Sequence, residues 1–496
     1  MALTKASYSM IDAAPINVAD FGATGDGITD DTVAVQAAFD AVSVSGGTVV
    51  FEPGKTYMID GLYQPLQSIF GGVKPKSNTI LQGNNATLKL IPNASIGYCI
   101  LNLVEVNDIT VNDLSFVGDL DTHIGALNQF GHAIIVAGCY NITLNNLFAT
   151  KCMGDGLLIS AYAAGLINSE VDVSNCEFVD NRRQGLSVLD LRNGTFIACT
   201  FRNTGQTSAT SPASGVDLEP DYSGAKVSNL TFVGCTFNNN ASGHGFVVGS
   251  ITSANIVENI KLLGCSFSGN GASAITADSV AGVPRVSGVF ELVDCDIIGQ
   301  VVVENCKIIG GQINLDETYT NSAYAVASVD DIPFQMIGTS VLVTGTRKAL
   351  NVFGATSENN RKLIQNCKIN QDGNLAADLA TWTSMGGYIT LENCQLTRTG
   401  AAPATSYTFG GAADFTGFDG KMVNCYLDPK LANGFAQDRL MNRFALRGWV
   451  SAAPTTGAHY VGEIVLNSAP ASGGFVGWVC TVAGTPGTWR TFGLIS

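Results

Sequence analysis

Asp217 and Glu219 stand two residues apart in Gly215-Val216-Asp217-Leu218-Glu219, and paired carboxyl groups at close range can break glycosidic bonds. If this segment is a strand, both side chains leave the same face, with Cα atoms roughly 6.5 Å apart. Glycoside hydrolysis uses carboxyl groups about 5–5.5 Å apart for retention or about 6.5–9.5 Å for inversion, and side-chain flexibility leaves both outcomes open. Crowding raises the pKa of one carboxyl, which keeps its proton and serves as the acid, while the other activates water. The alternative is a solvated acidic face, in a chain with 41 Asp and Glu.

The neighbours of this pair follow from a recurring phrase, a glycine followed by a mainly apolar strand. It occurs as Gly131-His132-Ala133-Ile134-Ile135, Gly156-Leu157-Leu158-Ile159, Gly185-Leu186-Ser187-Val188, Gly215-Val216-Asp217-Leu218 and Gly245-Phe246-Val247-Val248. If the first and third residues after each glycine face the core, those at −1, +2 and +4 face solvent. The outward set is then Asp155, Leu158, Ser160, Gln184, Ser187, Leu189, Ser214, Asp217, Glu219, His244, Val247 and Gly249. Asp155 is a further candidate catalytic carboxyl. Arg182, Arg183, Gln184, Tyr222 and His244 are candidate substrate-binding residues along the same patch.

A second chemistry fits the same side chains. β-Elimination needs a base to remove a proton beside a uronate carboxylate and a cation to hold the resulting charge. Arg182 or Arg183 supplies the cation in that reading, and His244 or Tyr222 the base. Asp180, Asp217 and Asp221 could hold Ca²⁺, but no EF-hand loop is present, so neither a metal nor another cofactor is expected. His123, His132 and His459 read as incidental.

A second phrase shows what must position these residues. Asn175-Cys176-Glu177-Phe178, Ala198-Cys199-Thr200-Phe201, Gly234-Cys235-Thr236-Phe237 and Gly264-Cys265-Ser266-Phe267 share one pattern. It continues at Cys295, Cys306, Cys367, Cys394 and Cys425, with most gaps between 23 and 36 residues, the length of a solenoid coil; the gap from 306 to 367 can hide two. Cysteine and the apolar residue two places on share the inner side of a strand and stack with their equivalents about 4.8 Å away. These thiols therefore read as inert core packing rather than disulfide or metal chemistry, and thirteen is an odd number in any case. Two phrases per coil in fixed order mean at least two sheets along one axis, an all-β, single-stranded parallel β-helix.

The ends need caps. Residues 30–44 predict a short helix with Asp30 or Asp31 at its N-cap and Val35, Ala38, Phe39 and Val42 on one face, followed by a strand over 48–51. After about residue 445 the chain turns rich in Gly, Ala, Pro and Thr, with Trp449, Trp478 and Trp489, and strands over 460–466 and 474–481 suggest a small β module. The organisation expected is a lead-in and cap over 1–60, a β-helix over 61–445 and a capping or trimerising module over 446–496. Residues 310–360 and 370–390 break the rhythm and read as loops or extra strands.

Composition bounds the partners. The net charge of −15 and the lack of a basic stripe argue against nucleic acid. No apolar run is long enough to span a bilayer, so no membrane insertion is expected, and no signal peptide is visible, which suits synthesis in the cytoplasm and release within a virus particle.

The stretch Ile16-Asn17-Val18-Ala19-Asp20-Phe21-Gly22-Ala23-Thr24-Gly25-Asp26-Gly27, with Gly46-Gly47-Thr48-Val49-Val50-Phe51-Glu52-Pro53-Gly54, resembles the opening segment of the pectate-lyase-like superfamily of right-handed β-helices. That superfamily includes polysaccharide lyases, glycoside hydrolases, alginate epimerases and phage tailspikes, so the likeness speaks for the fold and leaves the reaction open. Leu3-Thr4-Lys5-Ala6-Ser7-Tyr8-Ser9-Met10-Ile11 and the end segments 473–480 and 484–489 are similar to phage tail proteins. The resemblance implies a homotrimer on a phage tail or baseplate, located in the virion tail, that hydrolyses a bacterial capsular or O-antigen polysaccharide. A lyase and a non-catalytic receptor-binding tail protein are the alternatives.

Overall fold

The computed structural model describes residues 14–496 apart from 63–70, 162–165, 223, 241–242, 250–254, 281–282, 317, 320–323, 329, 346, 356–357, 373–382, 388, 400–420, 424, 428–445, 457–458 and 460. The chain winds into a parallel β-solenoid of about 11 turns with little helix. Eleven parallel strands form one wall, among them Phe130–Ala137, Asp155–Ser160, Gln184–Val188, Val216–Leu218, Phe246–Val248 and Ile275–Ala277. Two further ladders close the coil. One runs through Ser169–Ser174, Leu191–Ile197, Lys226–Val233 and Ile256–Leu263, the other through Glu177–Val179, Thr200–Arg202, Thr236–Asn238 and Ser266–Ser268. Each strand pairs only with its equivalents on neighbouring coils, so the backbone groups of one turn are satisfied by the next.

Each cysteine phrase marks the corner between these two ladders. The residue before the cysteine takes a left-handed conformation, with φ of 54° at Asn175, 52° at Ala198, 59° at Gly234, 60° at Gly264 and 56° at Asn366. That requirement explains why Asn and Gly recur there, since both enter this region at low cost. The phenylalanines behind the corner stack along the axis. Ring centroids are 5.4 Å apart for Phe178 and Phe201, 5.3 Å for Phe201 and Phe237, and 4.5 Å for Phe237 and Phe267. Each cysteine thiol donates to backbone carbonyls, as Cys199 does to Val173 O (3.5 Å) and Ile197 O (3.4 Å).

All thirteen cysteines are free, and all but the half-buried Cys425 are buried. Ellman's reagent is therefore expected to label at most one thiol in the native protein and all thirteen after denaturation. Several fast-reacting native thiols would show that the cysteine column is open to solvent.

Two expectations need correction. Cys306 does not belong to the corner column, because Lys307 pairs with Glu291 and Gln335, on the ladder preceding the corner. Its coil is shortened, and Gly311 takes the corner position instead. Residues 310–360 and 370–390 do not break the solenoid where they are described. Strands Gln312–Leu315, Gln335–Ile337, Ser340–Thr344, Lys348–Ala355, Lys362–Gln365 and Ile389–Glu392 continue the ladders in register. The rhythm was hidden because Gly311 and Thr339 replace the corner cysteine while the backbone path stays the same.

The N-terminal helix spans Thr32–Asp40, and Val35, Ala38, Phe39 and Val42 are buried against the first coil. Asp31 stands at the N-cap position but spends its carboxylate on Thr24 and Gly25. Asp30 Oδ1 accepts the Thr32 N–H at 3.0 Å. At the other end, Leu446–Val450, Ile464–Asn467, Phe475–Val482 and Thr488–Leu494 form a small, mainly antiparallel sheet. Trp489 meets His459 edge to face with ring centroids 5.0 Å apart, a packing contact.

Candidate functional site

The glycine phrases mark a slip in the strand alternation. A Cβ on Gly156 would lie 2.8 Å from Phe178 Cδ1, so this position points inward, and Leu157 beside it is also in the core. On later coils a Cβ at Gly185, Gly215 or Gly245 would come within 2.6–2.7 Å of a carbonyl of the next turn. Two successive inward positions need a residue without a side chain. As a result, the residues before the glycine and two after it both emerge on the outer face.

Register assembles the outer face column by column. Asp155 lies against Gln184, Leu158 against Ser187, Ser187 against Asp217 and Asp217 against Val247. Arg183, from the turn before Gly185, reaches across these coils. Its Nη1 donates to Asp155 Oδ2 (3.3 Å) and Ser187 Oγ (3.2 Å), and its Nη2 donates to Glu219 Oε2 (3.1 Å). Gln184 Nε2 donates to Asp217 Oδ2 at 3.0 Å, and Gln184 Oε1 accepts the Ser214 N–H at 2.6 Å. The carboxyls of Asp217 and Glu219 lie within hydrogen-bonding reach of each other.

These positions do not face solvent, contrary to the sequence expectation. Asp155, Gln184, Ser187, Ser214 and Asp217 are fully buried, and Leu158, Ser160 and Val247 nearly so. Leu158 joins Cys99, Val104, Ile135 and Ala137 in a second apolar cluster, with Leu189 packed against it. Strand alternation assigns the face, but covering depends on side chains and turns from other coils. Glu219 is the cluster's most open carboxyl, with 29% of its side chain exposed against 14% for Arg183.

Electrostatics follow from that burial. Desolvation, then the nearby Glu219 carboxylate, push the pKa of Asp217 well above the usual carboxylate range, with Arg183 pulling the other way. For Arg183, burial opposes the charge. The carboxylates of Asp155, Asp217 and Glu219 outweigh it, so its pKa rises. Asp221 is raised by burial and by Glu219, and Tyr222 by burial. Burial and the crowding by Glu219 thus favour the protonated form of Asp217.

His132 belongs here although it read as incidental. Its Nδ1 accepts the Asp155 N–H at 3.1 Å, which fixes the tautomer, and burial lowers its pKa to about 4. Its place in the glycine phrase one coil before Asp155 and three coils before Asp217 was the available signal. His244 does not join the acids. Its Nδ1 meets Ser273 Oγ (2.6 Å) and Thr276 Oγ1 (3.2 Å), and burial lowers its pKa. Arg182 also turns away from Arg183, donating from Nη1 to Asn128 O at 3.0 Å. Asp180 opens the turn that carries Arg183, next to the strand Glu177–Val179, and its N–H donates to Arg202 O. A cavity of about 200 Å³ lined by Phe290, Asn305, Lys307 and Phe334 lies on a different ladder.

Replacing Arg183 by Met would leave Asp155 buried beside acids without its counter-charge. We expect a loss of about 3–5 kcal/mol at pH 8, smaller at pH 5, where protonation relieves the carboxylates. Urea denaturation at both pH values measures this, and equal losses would mean the cluster is already uncharged at pH 8.

The fold and this outer-face cluster define a right-handed parallel β-helix. Residues 103–288 match the family model described as "Right handed beta helix region". The uncharacterized protein YclG of Bacillus subtilis (strain 168) is 26% identical over 219 residues, which cover 41% of this chain and 38% of that protein. Alginate lyase 7 of Azotobacter vinelandii is 30% identical over 151 residues, 26% of this chain and 16% of the lyase. Among solved structures, pre-mature bacteriophage phi29 gene product 12 superposes with a TM-score of 0.53 at 15% identity, over 90% of this chain and 61% of that one. The chain thus spans less than two thirds of the length of each. No helix among the described residues is long and apolar enough to cross a membrane.

Proposed function

We propose that this chain is a phage tailspike depolymerase that hydrolyses a bacterial capsular or O-antigen polysaccharide over the Asp155–Asp217–Glu219 cluster. The observation that carries this reading is the pairing of a fully buried Asp217, whose burial favours its protonated form, with a partly exposed Glu219 that is ion-paired to Arg183. Asp217 is the acid, and Glu219, the more exposed of the two, is the base. Rotation of the Glu219 side chain away from Asp217 opens the pair to the separations that glycoside hydrolysis uses. Arg183 and Gln184 orient the two carboxyls, and His132 holds the Asp155 backbone. Attachment to a phage tail as a homotrimer draws on the sequence likeness at both ends and on the shared fold with a phage protein.

A lyase is the second reading, favoured by the similarity to an alginate lyase and by the arginine within the cluster. In that reading an arginine neutralises a uronate carboxylate and Tyr222 is the base.

The test is release of reducing ends and of ultraviolet absorbance from a panel of bacterial surface polysaccharides. New reducing ends without absorbance support hydrolysis. Absorbance near the unsaturated-sugar band would replace it with elimination, and binding without either product would make the protein a receptor binder.

A further inference from the structure

Arg182 stands out by its lack of a counter-ion. Its neighbours in the solenoid are neutralised: Arg183 by Asp155 and Glu219, Arg192 by Asp190 (2.9 Å), Arg202 by Glu177 (3.4 Å) and Arg285 by Asp278 (2.6 Å). Among the described residues no carboxylate lies within ion-pair distance of Arg182. Its one hydrogen bond from the guanidinium goes to the Asn128 carbonyl, and its Nε is buried without a partner. The acids of the adjoining turn are already engaged, Asp119 with His123 (2.8 Å) and Asp121 with Lys151 (3.2 Å). Burial lowers the Arg182 pKa with no opposing contribution from a carboxylate. A chain with 41 acidic and 26 basic side chains has no shortage of anions, yet none is spent on this half-buried cation.

We propose that the outer face beside this cluster takes a carboxylate-bearing polysaccharide, and that Arg182 is the specificity residue that reads its charge. This rests on the polysaccharide reading above and names the substrate class. The guanidinium fork matches a carboxylate in two parallel hydrogen bonds, and one here would supply the counter-charge that no side chain among the described residues supplies. The two adjacent arginines diverge along the axis. Arg182 reaches back to Asn128, in the turn before Phe130–Ala137, whereas Arg183 reaches forward to Glu219, just past Val216–Leu218. Those strands are three coils apart, so the two guanidinium targets are separated by roughly 14 Å at about 4.8 Å per coil. The carboxylate that Arg182 reads therefore belongs to a sugar further along the polymer, beyond the neighbour of the one that is cut. A neutral polymer would leave Arg182 uncompensated, and the surrounding acids would repel an anionic group placed anywhere else along the cluster.

The test uses the full chain and an array of carboxylated and neutral bacterial capsular polysaccharides, each carboxylated polymer paired with its carboxyl-reduced form. Wild type should retain at least one carboxylated polymer and bind its reduced form roughly tenfold or more weakly. Arg182→Gln should bind both forms equally, at the level of wild type on the reduced form, and Arg182→Lys should keep part of the preference. Retention of neutral polymers only, retention of none, or an unchanged preference in Arg182→Gln would overturn the proposal. Reducing ends are read in the same wells. A charge preference lost in Arg182→Gln, without cleavage by wild type, would uphold this inference while refuting the hydrolase.

Discussion

Asp217→Asn is expected to lower depolymerisation by 100-fold or more and, in the same protein, to raise the melting temperature at pH 8. The first effect follows from loss of the proton donor. The second follows from linkage. Because burial and Glu219 raise the folded-state pKa of Asp217, the folded protein favours the protonated form. The stability this gives is fully present below the unfolded carboxyl pKa, about 3.9, and is lost as pH rises through the raised folded value. Asparagine never ionises, and its amide can accept from Gln184 and donate to Glu219. The gap between variant and wild type should therefore be small at pH 4 and widen towards pH 8, reaching roughly 2 °C or more. Glu219→Gln should match the activity loss without the gain, since it leaves Arg183 with one carboxylate fewer. Full activity in both variants, with a pH-independent melting difference, would make the pair a structural acid cluster.

Phe237→Ala is expected to cost about 3–5 kcal/mol of stability. Phe237 is fully buried, stacks on Phe201 and Phe267, and meets Phe246 edge to face at 6.2 Å. Its loss opens a void in the coil between Asp217 and Phe246. In a solenoid each turn is held only by its neighbours, so the damage should be local first. Urea denaturation should show the loss, and hydrogen exchange should accelerate in Lys226–Val233 and Ile256–Leu263 before the N-terminal coils. A loss below about 1 kcal/mol, or uniform acceleration along the chain, would mean that the ring column is not what holds adjacent turns.

Much of this architecture is legible in single residues. The inward ladder of Phe178, Phe201, Phe237 and Phe267 is visible because a two-residue period and a coil-length repeat are both written in the chain. The same local pleat puts Asp217 and Glu219 on one face. The asparagines and glycines before most of the corner cysteines record a left-handed corner as well. Where the corner cysteine gave way to Gly311 and Thr339, the repeat vanished from the sequence while the coil persisted.

What sequence alone determined is thus periodic and local: which residues point inward, where each coil turns, and that two carboxyls share a face. Tertiary structure decided what depends on distance across coils. Arg183 as the hub of three carboxyls, His132 as a member of the group, the separation of His244 from it, and the burial of Asp155 and Asp217 all depend on turn lengths and on long side chains spanning several rungs. A strand fixes the direction of a side chain. Only neighbouring coils determine what covers it, and burial in turn sets the charge that Asp217 carries.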